Sequence, residues 1–128
     1  MNSTRGRVVH IIDDDSAVRG GFERVLRSAG LEVRTYESAE GFLDQIDEAS
    51  PGCIVLDVTM PGINGADAMA RLKEAGSLLP VIVVSGCDSE SIHGFVRGLG
   101  AKMLLRKPVD DQALIDAIDW VTGELADC

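Results

Sequence analysis

The chain has 128 residues, of which 45% are hydrophobic and 26% charged, a composition typical of one globular domain with a single core. Its 12 basic and 21 acidic residues give a net charge of −9, which argues against direct nucleic-acid contact, because Lys and Arg must displace phosphate counterions. Three cysteines without a CxxC spacing argue against a disulfide framework and favour the cytoplasm. No apolar run approaches the roughly 20 residues that span a bilayer, so no membrane segment is expected.

Short runs of β-branched residues predict the strands of the fold. Residues 8–12, 53–56 and 81–84 are nearly continuous apolar runs, which is typical of strands buried on both faces of a sheet. Residues 32–36 alternate polar and apolar side chains and predict a half-exposed edge strand. Residues 102–105 are a weaker fifth candidate.

Apolar stripes at helical spacing fill the gaps between these strands. The stripes are Val18, Phe22, Val25, Leu26 and Ala29; Ala39, Phe42, Leu43 and Ile46; Ala68, Met69 and Leu72; Ile92, Phe95, Val96 and Leu99; and Leu114, Ala117, Ile118, Val121 and Leu125. Asp15, Ser16, Ser38 and Asp110 are the expected N-caps, and Gly30 closes the first helix. Five strands alternating with five helices predict an α/β fold, a parallel sheet with helices on both faces.

Polar residues follow the strands at the edge where such sheets bind ligands. Asp13 and Asp14 follow the first strand, Asp57 the third, Ser85 the fourth and Lys107 the fifth. If the first and third strands are neighbours, the carboxylates converge, and their repulsion amounts to several kcal/mol at an effective dielectric of ~20. A hard divalent cation such as Mg²⁺, helped by the Lys107 ammonium, would offset that repulsion.

Each of these signals also has a plainer interpretation when it is taken singly. The acidic run after the first strand could serve only to cap a helix, Asp57 could be a turn residue, and Lys107 a solvated loop lysine. Together they favour chemistry, because an aspartate beside Mg²⁺ can attack phosphorus and form an acyl phosphate. The metal, Lys107 and the Ser85 hydroxyl would then stabilise the phosphoryl oxygens.

These residues, in this order, resemble the receiver domain of bacterial response regulators. The matching motifs are the pair Asp13 and Asp14, Leu56-Asp57 followed by Met60-Pro61-Gly62 and Gly65, Ser85-Gly86, and Lys107-Pro108. The resemblance covers residues from about 7 to 125, so the chain is expected to form a single receiver domain over residues 1–128. It implies a flavodoxin-like five-stranded parallel sheet with the strand order 2-1-3-4-5, and a cis bond between Lys107 and Pro108.

The resemblance also implies a mechanism. A histidine kinase or phosphotransferase would transfer a phosphoryl group to Asp57 in an Mg²⁺-dependent reaction, with Mn²⁺ as a substitute metal. The expected metal ligands are Asp13, Asp14, Asp57 and the backbone carbonyl of Thr59, and the expected phosphoryl contacts are Ser85 and Lys107. Such a protein catalyses its own phosphorylation and dephosphorylation in two-component signal transduction, and is not a turnover enzyme. An aspartyl phosphatase is disfavoured, because Thr59 stands where such hydrolases carry a second acid.

One departure from the family concerns how the signal leaves the site. Leu104 stands three residues before the lysine, where the family usually has Tyr or Phe, and Val109 replaces another common aromatic. The output surface, for a homodimer or another partner, is expected on the predicted fourth and fifth helices and the fifth strand. Its candidate apolar patch comprises Ile92, Phe95, Met103, Leu105 and Val109. The alternative function is a phosphorylation-independent interaction module on the same fold.

Overall fold

The computed structural model describes residues 8–45, 52–57, 65–76, 79–86, 94, 97, 98 and 100–126. In chain order the elements are β1 (Val8–Ile12), α1 (Ser16–Ser28), β2 (Glu32–Tyr36), α2 (Ala39–Gln45), β3 (Gly52–Asp57), α3 (Gly65–Glu74), β4 (Val81–Ser85), β5 (Met103–Arg106) and α4 (Asp111–Ala126). Helix α4 is the last of the five predicted helices. The predicted helix over residues 92–99 lies largely outside the described residues.

The five strands form one parallel sheet in the order β2-β1-β3-β4-β5, as predicted. Every residue of β1, β3 and β4 is buried, because helices cover both faces of the central strands. Strand β2 alternates exposed and buried residues, as expected at an edge. Strand β5 begins at Met103 and ends at Arg106, one residue later than predicted.

Two apolar clusters lie on opposite faces of the sheet, because successive strand residues point to opposite sides. One cluster, under α2 and α3, comprises Ile12, Tyr36, Phe42, Ile54, Leu56, Met69, Leu72, Val81 and Val83. The other, under α1 and α4, comprises Val9, Ile11, Leu26, Leu31, Val33, Cys53, Val55, Ile82, Val84, Leu114, Ala117, Ile118 and Val121. Burying each large side chain contributes about 1.5–3 kcal/mol, so these clusters stabilise the frame that carries the strand ends.

The amino ends of β1 and β3 are in unusually close contact. Val8 pairs with Gly52 in the sheet register. A Cβ atom built on Gly52 would lie only 2.0 Å from the backbone oxygen of Val8, well inside van der Waals contact. The chain therefore requires glycine at the first residue of β3.

Side chains that precede the helices satisfy the exposed backbone N–H groups at the helix starts. The Asp15 carboxylate accepts hydrogen bonds from two N–H groups in the first turn of α1, at 2.9 and 3.3 Å. Ser16, the other predicted cap of this helix, is instead its first helical residue. Ser38 and Asp110 cap their helices as predicted, each accepting from the N–H three residues further on, at 3.1 and 3.0 Å.

Three of the five residues in the predicted apolar output patch belong to the described part of the chain. Met103, Leu105 and Val109 are half-buried and pack against the core cluster under α1 and α4. Ile92 and Phe95 lie outside the described residues. Among the described residues, Trp120 on α4 is the large hydrophobic side chain that is exposed, at 54%.

Candidate functional site

The sheet register places Asp13 and Asp57 side by side. Ile12 of β1 lies opposite Leu56 of β3, so the residues that follow them meet at the carboxyl end of the sheet. Asp13 is 1% exposed and Asp57 is 3% exposed, whereas Asp14 is exposed. Carboxylate oxygens from these three residues lie within 4.8 Å of one another. The structure thus brings together three acidic side chains that the sequence places at the ends of two different strands.

Lys107 lies between two of these carboxylates. Its Nζ atom is 3.3 Å from Oδ2 of Asp13 and 3.2 Å from Oδ2 of Asp57. Because strands lie about 4.8 Å apart, the long lysine side chain is needed to reach across β4 from the end of β5. The ammonium therefore offsets part of the negative charge that the fold concentrates here.

The pKa values of these groups reflect burial and charge. Burial raises the pKa of the Asp13 carboxyl, and the nearby Asp57 charge adds to this; the Asp15 N–H and Lys107 lower it, but the net shift is upward. Burial lowers the pKa of Lys107, but the Asp13 and Asp57 charges raise it more, so the net shift is again upward. The lysine is therefore held as a cation, while charge on Asp13 is disfavoured.

Ser85 occupies the end of β4 beside this cluster. It is fully buried, and it follows Val84, the register partner of Asp57. The N–H of Lys107 donates to the Ser85 carbonyl at 2.9 Å, which ties the lysine backbone to β4. The bond between Lys107 and Pro108 is cis, as expected. Thr59 lies outside the described residues.

The loop between β1 and α1 is held by a set of hydrogen bonds centred on Asp13. The Asp13 N–H donates to the carbonyl of Tyr36 at 3.1 Å, and Asp13 Oδ1 accepts from the N–H of Asp15 at 2.9 Å. Nη1 of Arg19 donates to the Asp13 carbonyl at 2.6 Å. Arg19 carries no motif signal in the sequence; its position six residues after Asp13, in the second turn of α1, is the available hint.

Leu104 lies on β5, opposite Val83 of β4. Its side chain is half-buried and packs against the core cluster under α2 and α3. Its neighbours Met103 and Leu105 pack against the other face of the sheet. Leu104 therefore belongs to the apolar packing of the strand.

The acidic cluster has the donors that a hard divalent cation requires. Two carboxylates whose oxygens lie within 4.8 Å of each other repel by at least roughly 3 kcal/mol at an effective dielectric of ~20. One lysine ammonium offsets one of the three negative charges that ionised Asp13, Asp14 and Asp57 would carry. The remaining charge and the oxygen-only donor set fit Mg²⁺, which is held in proteins by one or two carboxylates and several waters.

This geometry agrees with what known families show. Residues 9–119 match the profile of the family described as response regulator receiver domain. The chain belongs to this family. Its function is that of a receiver domain in two-component signalling.

Individual relatives support the same assignment. The transcriptional regulatory protein FixJ of Azorhizobium caulinodans is 41% identical over 119 residues, which cover 93% of this chain and 56% of that protein. The response regulator protein TodT of Pseudomonas putida is 36% identical over 116 residues, which cover 91% and 51%. The solved structure of the response regulator StyR has a TM-score of 0.87 and 34% identity, covering 95% of this chain and 62% of that one. The chain spans about half the length of the curated relatives it matches.

No helix in the described part of the chain combines the length and the apolar character needed to cross a membrane.

Proposed function

We propose that Asp57 accepts a phosphoryl group from a histidine kinase or phosphotransferase, in a reaction that requires Mg²⁺. The observation that carries this proposal is the position of the Asp57 carboxylate. It is buried at the end of β3, in contact with the Lys107 ammonium and beside two further carboxylates. A carboxylate with only a structural role would not need both an acidic cluster and a cation at this edge of the sheet.

The metal ligands in this proposal are Asp13, Asp14, Asp57 and the backbone carbonyl of Thr59, with Mn²⁺ able to replace Mg²⁺. When bound, the cation would neutralise charge on the carboxylates and on the incoming phosphoryl oxygens. Support comes from the oxygens of the three aspartates, which lie within 4.8 Å of one another. Asp14 is the exposed member of the three.

The chain's own residues position the reactants. A carboxylate oxygen of Asp57 attacks phosphorus, and the bond from phosphorus to the donor's nitrogen or oxygen breaks as the new oxygen–phosphorus bond forms. Lys107, already 3.2 Å from Asp57, stays beside the transferred group and pairs with one of its oxygens. The Ser85 hydroxyl donates to another. The leaving group keeps the bonding electrons and takes a proton from solvent.

The proposed unit is a single receiver domain over residues 1–128 that acts in the cytoplasm. It catalyses its own phosphorylation and dephosphorylation, and its output is a changed contact with a partner or with a second copy of the chain. Exposed charges of opposite sign suit such a contact: Lys102 directly precedes β5 and Arg106 is its last residue, and Asp116 and Asp119 lie on α4.

Intact-mass measurement with a small phosphoryl donor tests the proposal. Acetyl phosphate with Mg²⁺ should add the mass of one phosphoryl group to the chain, and chelating the metal should prevent this. Asp57→Asn should abolish the adduct, because the amide is not a nucleophile toward phosphorus. Asp119→Asn is the matched control, an exposed aspartate on α4 whose loss should leave the adduct unchanged.

Two results would contradict this function. One is the absence of any adduct on the wild-type chain with acetyl phosphate and with a phosphorylated histidine kinase. The other is an adduct that persists in Asp57→Asn. The first result would leave the phosphorylation-independent interaction module as the function of this fold.

A further inference from the structure

Arg19 makes a contact with the site that the family motifs do not explain. Its Nη1 atom donates to the backbone carbonyl of Asp13 at 2.6 Å, a short and charge-assisted hydrogen bond. The residue itself is fixed by α1, where its N–H bonds to the carbonyl of the capping residue Asp15 at 3.0 Å. Within the described part of the chain, Arg19 makes no ion pair with a carboxylate. The guanidinium is thus committed to one carbonyl oxygen at the rim of the acidic cluster.

That carbonyl belongs to the peptide unit that joins Asp13 to Asp14. A peptide unit is planar, so holding its oxygen also sets the direction of the Asp14 N–H and Cα. The Asp14 carboxylate is exposed, and no side-chain hydrogen bond fixes it among the described residues. Its location next to Asp13 and Asp57 therefore depends on the backbone of the loop.

We propose that Arg19 is a positioning residue for the metal site: its bond to the Asp13 carbonyl holds the loop in the conformation that lets Asp14 join Asp13 and Asp57 around a divalent cation. The inference rests on the proposed function, since it assumes that these carboxylates bind the metal. Residues that orient metal ligands without touching the metal typically change metal affinity 10- to 100-fold when they are removed.

The sign of the change separates this role from a simple charge effect. Arg19 is a cation close to a cation site, so on electrostatic grounds alone its removal would tighten metal binding. A positioning role predicts the opposite result, because a freed loop must be ordered again before Asp14 can bind. Weaker binding after loss of a positive charge is therefore the signature of positioning.

The same helix supplies a matched control. Nη2 of Arg27 donates to the Val33 carbonyl at 3.0 Å, again six residues away, but at the other end of α1. Arg27 also pairs with Glu23 at 2.9 Å. Arg27→Leu therefore removes a bond of the same kind, an additional ion pair and the same charge, at a distance from the metal site.

The test measures Mn²⁺ binding to the full chain by electron paramagnetic resonance, in which the signal of the unbound ion reports the dissociation constant without any phosphoryl donor. Circular dichroism verifies folding of each variant. Arg19→Leu should raise the dissociation constant about tenfold. Arg19→Lys, which keeps the charge and one donor group, should fall between wild type and Arg19→Leu. Arg27→Leu should stay within twofold of wild type. If Arg19→Leu does not fold, Arg19→Lys carries the test and must still bind more weakly than wild type.

The outcomes that overturn the inference are distinct from those that overturn the function. If wild type binds Mn²⁺ and Arg19→Leu binds it equally well or more tightly, the metal site stands but Arg19 has no positioning role in it. An equal loss in Arg27→Leu would assign the effect to general loosening of α1. Wild type that binds no Mn²⁺ and no Mg²⁺ would overturn the proposed function and this inference together.

Discussion

The two ends of β1 and β3 are equally buried but opposite in character. At the amino end, Val8 and Gly52 pack so closely that no Cβ fits between the strands. At the carboxyl end, the same two strands deliver Asp13 and Asp57, which are 1% and 3% exposed. Apolar burial stabilises the fold, whereas buried like charges oppose it. The sheet is thus stabilised by the apolar clusters on both of its faces, while its carboxyl end carries a cluster of charges that opposes folding.

The largest expected effect lies at the amino end. In Gly52→Ala the new methyl group meets the Val8 carbonyl, so the strands must separate, and the free energy of unfolding should fall by about 3 kcal/mol. Urea unfolding measures the change. Gly20→Ala is the control, because a Cβ there meets no atom within 4 Å and the residue lies inside α1. That variant should be about 0.5–1 kcal/mol more stable than wild type. Equal stability of the two variants would contradict the proposed difference between these positions.

The second-largest effect on stability is expected at the carboxyl end of the strands, when the Lys107 ammonium is removed. Lys107→Met removes the ammonium from between Asp13 and Asp57, so the two carboxylates lose the positive charge that pairs with them. Without metal, the free energy of unfolding should fall by about 2 kcal/mol, a value reduced because the lysine side chain is 24% exposed. Saturating Mg²⁺ should restore more stability to this variant than to wild type, since the metal then supplies the missing positive charge. Thermal unfolding with and without Mg²⁺ measures the difference. An equal loss of stability under both conditions would show that the lysine acts through packing alone.

The smallest expected effect is a gain in stability rather than a loss. Asp13→Asn removes one buried negative charge next to Asp57, so the metal-free protein should gain on the order of 1 kcal/mol in stability. In saturating Mg²⁺ the order should reverse, because wild type binds the ion more tightly and gains more from it. Parallel urea titrations in chelator and in Mg²⁺ measure both values. The exposed Asp119→Asn should change stability by less than about 0.5 kcal/mol under either condition. A metal-free Asp13→Asn that is less stable than wild type would contradict the view that this end of the sheet stores repulsion.

Much of the fold follows from local sequence features. Nearly continuous apolar runs mark β1, β3 and β4, because a strand covered on both faces needs apolar side chains at most positions. The alternation of polar and apolar residues in Glu32–Tyr36 marks the edge strand, because only every second side chain of that strand needs to face the core. The convergence of Asp13 and Asp57 follows from the strand order, since parallel neighbours end at the same edge of the sheet.

Other features depend on contacts that no local pattern encodes. Arg19 bonds to a carbonyl, and every residue has one, so no partner side chain in the sequence points to this contact. Met103 and Leu105 look like candidates for an exposed patch, yet α1 and α4 supply an apolar cluster against which they pack. Ser16 is an acceptable cap by residue type, but Asp15, one residue earlier, accepts the first-turn N–H groups.

The burial of Asp57 also affects how long a phosphoryl group on it would persist. At 3% exposure, its carboxylate lies beneath the surface, with the Lys107 ammonium against it. An acyl phosphate formed there breaks down only when a water molecule reaches phosphorus in line with the bond to be cleaved. The lifetime of the phosphorylated state would therefore depend on how often such a water molecule reaches the buried aspartate. Substitutions that change the access of water to Asp57 would therefore alter the duration of the signal without altering the chemistry that starts it.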